Sequence, residues 1–267
     1  YVTGWFDQSG QGHDFQALVM GQAVPSLTVN SINGFPAVTF DESAKQYLGY
    51  NATLNITGSD ATTVAIVARN NTTVDEANGG LYIGRKNVGS ANTVRDYGLE
   101  YKDAVRFNGE NQIFNDGHEQ GEWNLIIYSN PAGSTVANYK AWLNGTLLTG
   151  SSSSSVVPAL PAPPPAPPQN LFALLGATQM GGAYNPAGYF NGDMTEVAVF
   201  SSELTSAERI VLENNLGARY HLNIADDHYA YQDTYYWDVS GIAENSGTTF
   251  TNAWSSGILS INSPTDL

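Results

Sequence analysis

Phe190-Asn191-Gly192-Asp193-Met194-Thr195-Glu196-Val197-Ala198-Val199-Phe200 runs straight into Ser201-Ser202-Glu203-Leu204-Thr205-Ser206-Ala207-Glu208-Arg209. The first half reads as a β-strand. In a regular strand side chains alternate between two faces, so Thr195 shares a face with Val197 and Val199. The second half reads as a helix start, with Thr205 as N-cap and Glu208 three residues on, a capping box. Leu212, Leu216 and Tyr220 then recur at four-residue spacing, and Gly217 stands close to the expected C-terminus. The spacing predicts one amphipathic helix over about 205–217, lying against a sheet edge or end.

Working outward, the rest of the chain reads as short strands between turn signals. Thr62-Thr63-Val64-Ala65-Ile66-Val67-Ala68-Arg69 is a β-branched run ahead of an Asn-rich turn, and Trp123–Tyr128 is a second strand, ending near Asn130-Pro131. Tyr139–Leu143 meets Asn144-Gly145, a strong hairpin signal, and Thr146-Leu147-Leu148 returns. Many strands at such spacing argue for a sandwich or barrel.

With 267 residues, the chain suffices for one large all-β domain or somewhat more. Lys and Arg number 10 against 25 Asp and Glu, a formal charge of −15. That balance disfavours nucleic acid and anionic membrane surfaces as partners. No cysteine is present, which excludes disulfides and thiolate metal sites. No apolar run reaches the ~18 residues of a membrane span. A first residue of Tyr1 and the lack of a signal peptide suggest a mature form or a piece of a longer, multidomain chain.

Residues 150–170 carry Ser151 to Ser155, then Pro158, Pro161, Pro163, Pro164, Pro165, Pro167 and Pro168. Proline lacks the ladder donor, so this is not a strand; it reads as a long loop within the domain, because strand-like sequence of the same motif set flanks it, with a stiff interdomain linker as the alternative. Past residue 222 the chain has no Lys or Arg, and Tyr229, Tyr231, Tyr235, Tyr236 and Trp237 cluster. Residues 223–267 read as an appended β segment or the start of a following β domain, with Gly257–Ile261 as a final strand. Asn-x-Ser/Thr sequons at Asn51, Asn55, Asn70, Asn71 and Asn144 are read as turn and edge-strand chemistry.

Four motifs in order carry a resemblance. Trp5-x-Asp7-x-Ser9-Gly10-x-Gly12 opens the chain, with Pro25 and Asn33-Gly34-x-Pro36-Ala37-Val38-x-Phe40-Asp41 following. Trp142-Leu143-Asn144-Gly145 stands in the middle, and Phe190-x-Gly192-Asp193-x-x-Glu196-Val197 before Leu-Thr-x-Ala-Glu-Arg stands at the end. Over roughly residues 1–222 the chain resembles the concanavalin A-like, laminin-G-type (LamG) jelly roll of secreted bacterial surface proteins. The resemblance implies two antiparallel sheets packed face to face. It also implies an extracellular or cell-surface location and a role in glycan or protein binding, as in adhesins. Relatives on this fold include glycoside hydrolases and lyases, so fold alone does not give function.

The hydrolases carry Glu-x-Asp-x-(x)-Glu on one strand, and no such run occurs here. Asp193 and Glu196, three apart, fall on opposite faces of a regular strand, which spoils paired acid–base chemistry. No Gly-x-Ser-x-Gly and no His-Glu-x-x-His is present. A non-catalytic recognition module is therefore expected. The alternatives are a polysaccharide-degrading enzyme with an unrecognised carboxylate pair, or a structural spacer without an open concave surface.

The resemblance further implies a calcium site, with Asp7, the Gly10 backbone and a carboxylate on the closing strand as ligands. The family's aspartate position is Thr195 here, so Asp193 or Glu196 would have to take over, through a bulge or an end-of-strand twist. Asp7 could instead cap the Ser9-Gly10 turn, as Asx turns do. For a ligand, Arg95-Asp96-Tyr97-Gly98-Leu99-Glu100-Tyr101-Lys102-Asp103 combines aromatic and charged groups. Arg85, Arg95, Tyr97 and Tyr101, with Lys86 and Lys102, could receive a sugar acid or a peptide carboxylate.

Overall fold

The computed structural model describes residues 1–52, 54, 56, 60–71, 80–85, 97–100, 104–107, 110–114, 121–153, 171–181, 185–228, 243–245 and 249–251. For 82–85, 97–100, 104–107, 110–113, 171–172, 178–181, 185–187, 243–245 and 249–251 the description is of backbone alone. Two compact units emerge: Tyr1–Leu143 with Leu147–Glu203, and Asn144–Thr146 with Leu204–Leu267.

The first unit is an all-β antiparallel jelly-roll sandwich. Its strands in chain order begin with β1 (Gly4–Trp5), β2 (Phe15–Gln16), β3 (Ser26–Ile32), β4 (Phe35–Phe40), β5 (Leu48–Tyr50), β6 (Thr62–Asn70) and β7 (Leu81–Arg85). They continue through β8 (Tyr97–Glu100), β9 (Ala104–Phe107), β10 (Glu110–Ile113), β11 (Trp123–Asn130), β12 (Lys140–Leu143) and β13 (Thr146–Leu147), of which Thr146 groups with the second unit. The last are β14 (Leu171–Leu175), β15 (Ala177–Gly181), β16 (Asn185–Tyr189) and β17 (Gly192–Phe200). One sheet has the order β1-β2-β5-β14-β7-β8-β9-β10 and the other β13-β12-β11-β6-β17-β4-β3, with β15 and β16 as a separate pair.

Each main sheet gives one face to a common core. Phe15, Leu48, Leu81 and Leu175 from the first meet Phe40, Ile66, Tyr128 and Met194 from the second. The β6 run is β-branched and buried along nearly its whole length, as expected of a central strand covered on both faces. Asn144 and Gly145 both take positive φ (47° and 82°), the geometry of a two-residue type I′ turn between β12 and β13.

Strand β17 departs from regular alternation. Met194 stands opposite Ala68 of β6, yet Glu196 stands opposite Val67, so Thr195 is the extra residue of a β-bulge. Asp193, opposite Arg69, and Glu196, opposite Val67, thus share a face. The opposite-face placement expected from spacing is corrected by one inserted residue. Thr195 does not continue the Val197 and Val199 row; its hydroxyl donates to the Pro36 carbonyl at 2.8 Å.

In the second unit, helix α1 spans Ser206–Tyr220. Thr205 and Glu208 form the expected capping box, with Thr205 N donating to Glu208 Oε2 at 2.8 Å and Glu208 N to Thr205 Oγ1 at 3.3 Å. The helix runs past Gly217 and ends at His221, which takes the left-handed conformation (φ 53°). Gly217 has a packing role instead: a Cβ there would collide with the Ile224 side chain. The helix groups with the following segment because that segment bonds to it. Asn214 Nδ2 donates to the Asp226 carbonyl at 2.8 Å and His228 N to Asn214 Oδ1 at 2.6 Å. Farther on, β18 (Ala243–Asn245) pairs with β19 (Thr249–Thr251). Gly257–Ile261 and the 154–170 proline stretch lie outside the described residues.

Candidate functional site

The nine residues between β1 and β2 form a loop organised by two aspartates. Asp7 N donates to Asp14 Oδ1 at 2.8 Å. Asp7 in turn accepts Ser9 N on Oδ1 at 2.8 Å, and Ser9 Oγ and His13 N on Oδ2 at 2.9 and 3.0 Å. The first of these is an Asx turn. Gly10 takes φ +82°, a left-handed value that suits the residue after such a turn. Bonds from His13 and Ser9, backbone first, hold the Asp7 carboxyl well below its ordinary 3.8, down to about 2. The His13 ring packs on Tyr50 with centroids 5.2 Å apart.

This loop forms one wall of a cleft of about 650 Å³. Strand β4 pairs with β17 only over Gly192–Met194, and the cleft runs along the remaining half, Thr195–Phe200. Trp5 at the end of β1 and Phe6, Asp7, Gln8, Gln11 and His13 of the loop line it, and Leu54, Ile56 and Leu175 form an apolar base. Phe6 is 67% exposed, an unusual cost for a large apolar ring unless something covers it. Aromatic faces beside a carboxylate, two amides and hydroxyls suit a ligand with both apolar C–H faces and hydroxyl groups.

The three expected calcium ligands come from different elements. Asp7 and Gly10 lie in the β1–β2 loop, whereas Asp193 is buried on β17. There Asp193 Oδ2 accepts Arg69 Nε and Nη2 at 2.9 and 2.6 Å, and Oδ1 accepts Thr39 Oγ1 at 2.5 Å. Arg69 also lies over the Trp123 ring at 5.1 Å. A hard cation wants six to eight oxygen ligands, and both carboxylates already serve as hydrogen-bond acceptors on both oxygens. Among the described residues no group of three or more His, Asp or Glu side chains is placed to hold a metal. This donor set does not fit calcium.

Of the expected ligand-binding residues, Arg85 ends β7 and Tyr97 opens β8, where Tyr97 pairs with Ile83. Their strands are adjacent, and the backbone alone is described. Arg95 and Tyr101, with Lys86 and Lys102, lie outside the described residues. Phe6, His13 and Glu196 were not singled out from sequence as ligand-binding residues. The one available signal was Phe6 itself, a large apolar residue between two strands and next to a turn-forming aspartate.

No family model matches the chain, and no curated protein matches it by sequence. Solved structures match in fold. A Trypanosoma rangeli sialidase in complex with sialic acid is 12% identical, with 85% of this chain and 32% of that one covered and a TM-score of 0.50. The heptameric SAP-like pentraxin of Limulus polyphemus is 14% identical over 60% of this chain and 71% of that one, with a TM-score of 0.39. Domain 4 of a GH43 extracellular arabinanase from Geobacillus stearothermophilus, in complex with arabinotriose, is 12% identical over 68% and 78%, with a TM-score of 0.39. The chain spans about a third of the length of the sialidases it matches. The sialidase likeness, at a TM-score of 0.50, is one of fold alone. Among the described residues no helix is long and apolar enough to cross a membrane.

Proposed function

We propose that the chain is a laminin-G-type recognition module that binds glycan, without catalysis, in the cleft beside Phe6. The observation that carries this reading is the exposed Phe6 ring and the Trp5 ring standing with Asp7, Gln8 and Gln11 on one concave surface. A sugar ring offers C–H groups to aromatic faces and hydroxyls to the Gln8 and Gln11 amides, so this set matches it. A structural spacer calls for no open concave surface, and the cleft favours recognition over that role.

Binding is favoured over hydrolysis by the state of Asp7. Glycoside hydrolysis needs a carboxyl that holds a proton to donate and a second carboxylate free to act on carbon or water. Asp7 is held ionised, and its oxygens are taken by three donors that fix the loop. Asp193 faces Arg69 and does not line the cleft. An extracellular role within a longer cell-surface or adhesin chain rests on the resemblance of the opening and closing segments, and belongs to the same proposal. The test is retention on a glycan array by the wild type and by Phe6→Ala. Loss of a specific signal in the variant, with its melting temperature unchanged, supports the reading. Equal retention by both proteins would overturn it.

A further inference from the structure

We infer that the second half of β17 is a docking edge for an extended peptide, which adds to the second sheet as a further strand. The inference goes beyond the glycan reading and does not rest on it. That reading uses the loop wall of the cleft, and this one uses the β17 wall.

The direction of each backbone group along β17 follows from its neighbour β6. The Asn71 amide donates to the Asn191 carbonyl at 2.9 Å, and the Asn70 carbonyl accepts the Gly121 amide at 2.8 Å. Odd-numbered residues of β6 therefore turn their N–H and C=O toward β17, and even-numbered ones toward β11, because a strand alternates between its two edges. Val67, Ala65 and Thr63 stand opposite Glu196, Ala198 and Phe200, so those three turn their backbone groups back to β6. Val197 and Val199 stand opposite Ile66 and Val64 and turn theirs the other way. On that side β4 pairs only as far as Met194, and among the described residues no other strand takes its place. The ladder stops for a local reason. Thr195 is the extra residue of the bulge, its hydroxyl occupies the Pro36 carbonyl, and Pro36 has no N–H to offer β17.

Two N–H and two C=O groups are thus presented, with about 7 Å from Val197 to Val199 along the strand. Every residue from Thr195 to Ser201 lines the cleft, as expected where a strand edge rather than one strand face forms the wall. Half-buried backbone groups call for partners. An extended peptide offers the same pair of groups at the same two-residue period, with hydrogen bonds for affinity and alternate side chains for specificity. Antiparallel to β17, peptide residues i and i+2 opposite Val199 and Val197 would each exchange both bonds. Their side chains would fall on the face of Val197 and Val199, which pack against the core, and so toward the apolar base of Leu54, Ile56 and Leu175. The base selects apolar side chains at i and i+2. Residue i+1 lies on the other face, with its backbone groups directed away from β17.

The experiment presents the protein to an array of capped hexapeptides. In them two positions, separated by one residue, run through Ala, Val, Leu and Phe, and the remaining positions are Ser or Thr. The tightest binder is resynthesised with one N-methyl group at each position in turn and titrated against the wild type and Val199→Pro. Hydrogen exchange of the Val197 and Val199 amides is followed with and without peptide. N-methylation is expected to weaken binding at least about tenfold at positions i and i+2 and to change little at i+1. Both amides should exchange fast in the free protein and slowly in the complex. Val199→Pro removes an N–H that β6 does not use and should bind at least about tenfold more weakly. The N-methyl scan on the wild type reads the same bonds without relying on that variant's fold. An array without a binder, a scan without the two-residue period, or amides already protected in the free protein would each overturn the inference. All of these outcomes leave the glycan reading to its own test at Phe6.

Discussion

Arg69 reaches Asp193 with two nitrogens that donate to the same carboxylate oxygen, Oδ2, while Thr39 takes the other. The three residues lie on neighbouring strands in one cross-strand row, Thr39 of β4, Asp193 of β17 and Arg69 of β6. Trp123 of β11 continues the row beneath the guanidinium. Asp193 is 4% exposed in its side chain and Arg69 31%. Removing one partner of a buried pair leaves the other charge uncompensated. Asp193→Ala is therefore expected to cost about 2–4 kcal/mol, below the fully buried range because Arg69 still reaches solvent. Urea denaturation of the variant checks this, and a loss below about 1 kcal/mol would show that the pair does not tie the strands together.

The β1–β2 loop carries its own pH dependence. Asp7 has a folded-state pKa depressed from 3.8 to about 2 by bonds that only the ionised form accepts fully. A depressed carboxyl contributes stability that is complete above the unfolded value and lost as pH falls through the folded one. The loop should keep its structure at pH 4 and loosen through about pH 2. Amide resonances of Ser9 and His13 followed between pH 5 and 1.5 provide the measurement. In Asp7→Asn, which retains one acceptor but no charge, that transition should vanish. A midpoint near 4 in the wild type would mean that the three donors do not hold Asp7.

Calcium should leave the protein unchanged. Asp7 and Asp193, the carboxylates that a cation would need, are already bonded through both oxygens, one to loop donors and the other to Arg69 and Thr39. A cation would have to displace those donors before gaining its own coordination. Thermal melts with millimolar calcium and with chelator are expected to coincide, and so are glycan-binding curves under the two conditions. A calcium-dependent rise in melting temperature would reinstate a cation site built partly from backbone carbonyls such as that of Gly10.

These outcomes show which parts of the molecule local sequence could disclose. The Asn144-Gly145 turn and the Thr205–Glu208 capping box are set by residues within four positions of each other, and both stand as local chemistry demands. The same holds for the Asx turn at Asp7. The bulge at Thr195 was hidden because it depends on two neighbours far away in sequence. Arg69 draws Asp193 to one face, and Pro36 offers its carbonyl to the Thr195 hydroxyl. The cleft was hidden for the same reason: its walls are residues 5–15 and 195–201, which meet only after both sheets have formed. The charge-rich stretch 85–102 stands out in sequence because basic residues are scarce in this chain, whereas the loop with the exposed ring carries no Lys or Arg.

Gly217 offers a test in which two well-known effects oppose each other. In a helix interior, glycine is less favourable than alanine by about 1 kcal/mol, so Gly217→Ala should stabilise an isolated helix. Here the new Cβ would meet Ile224 Cγ1, a methylene one bond from the branched Cβ, held close to its own backbone and unable to swing aside like the tip of a long side chain. Overpacking of this kind costs about 1–3 kcal/mol. The carbonyl of Gly217 also accepts the Leu222 amide at 2.9 Å, so a shift of the helix end to make room would strain the turn at His221. Gly217→Ala alone is thus expected to lower stability. Gly217→Ala with Ile224→Ala should be more stable than Ile224→Ala alone, because the collision is gone and the helix preference remains. Helical circular dichroism during thermal unfolding of the four proteins in the cycle reads both signs. If Gly217→Ala raised the melting temperature in the wild-type background, Ile224 would not be packed against the helix backbone.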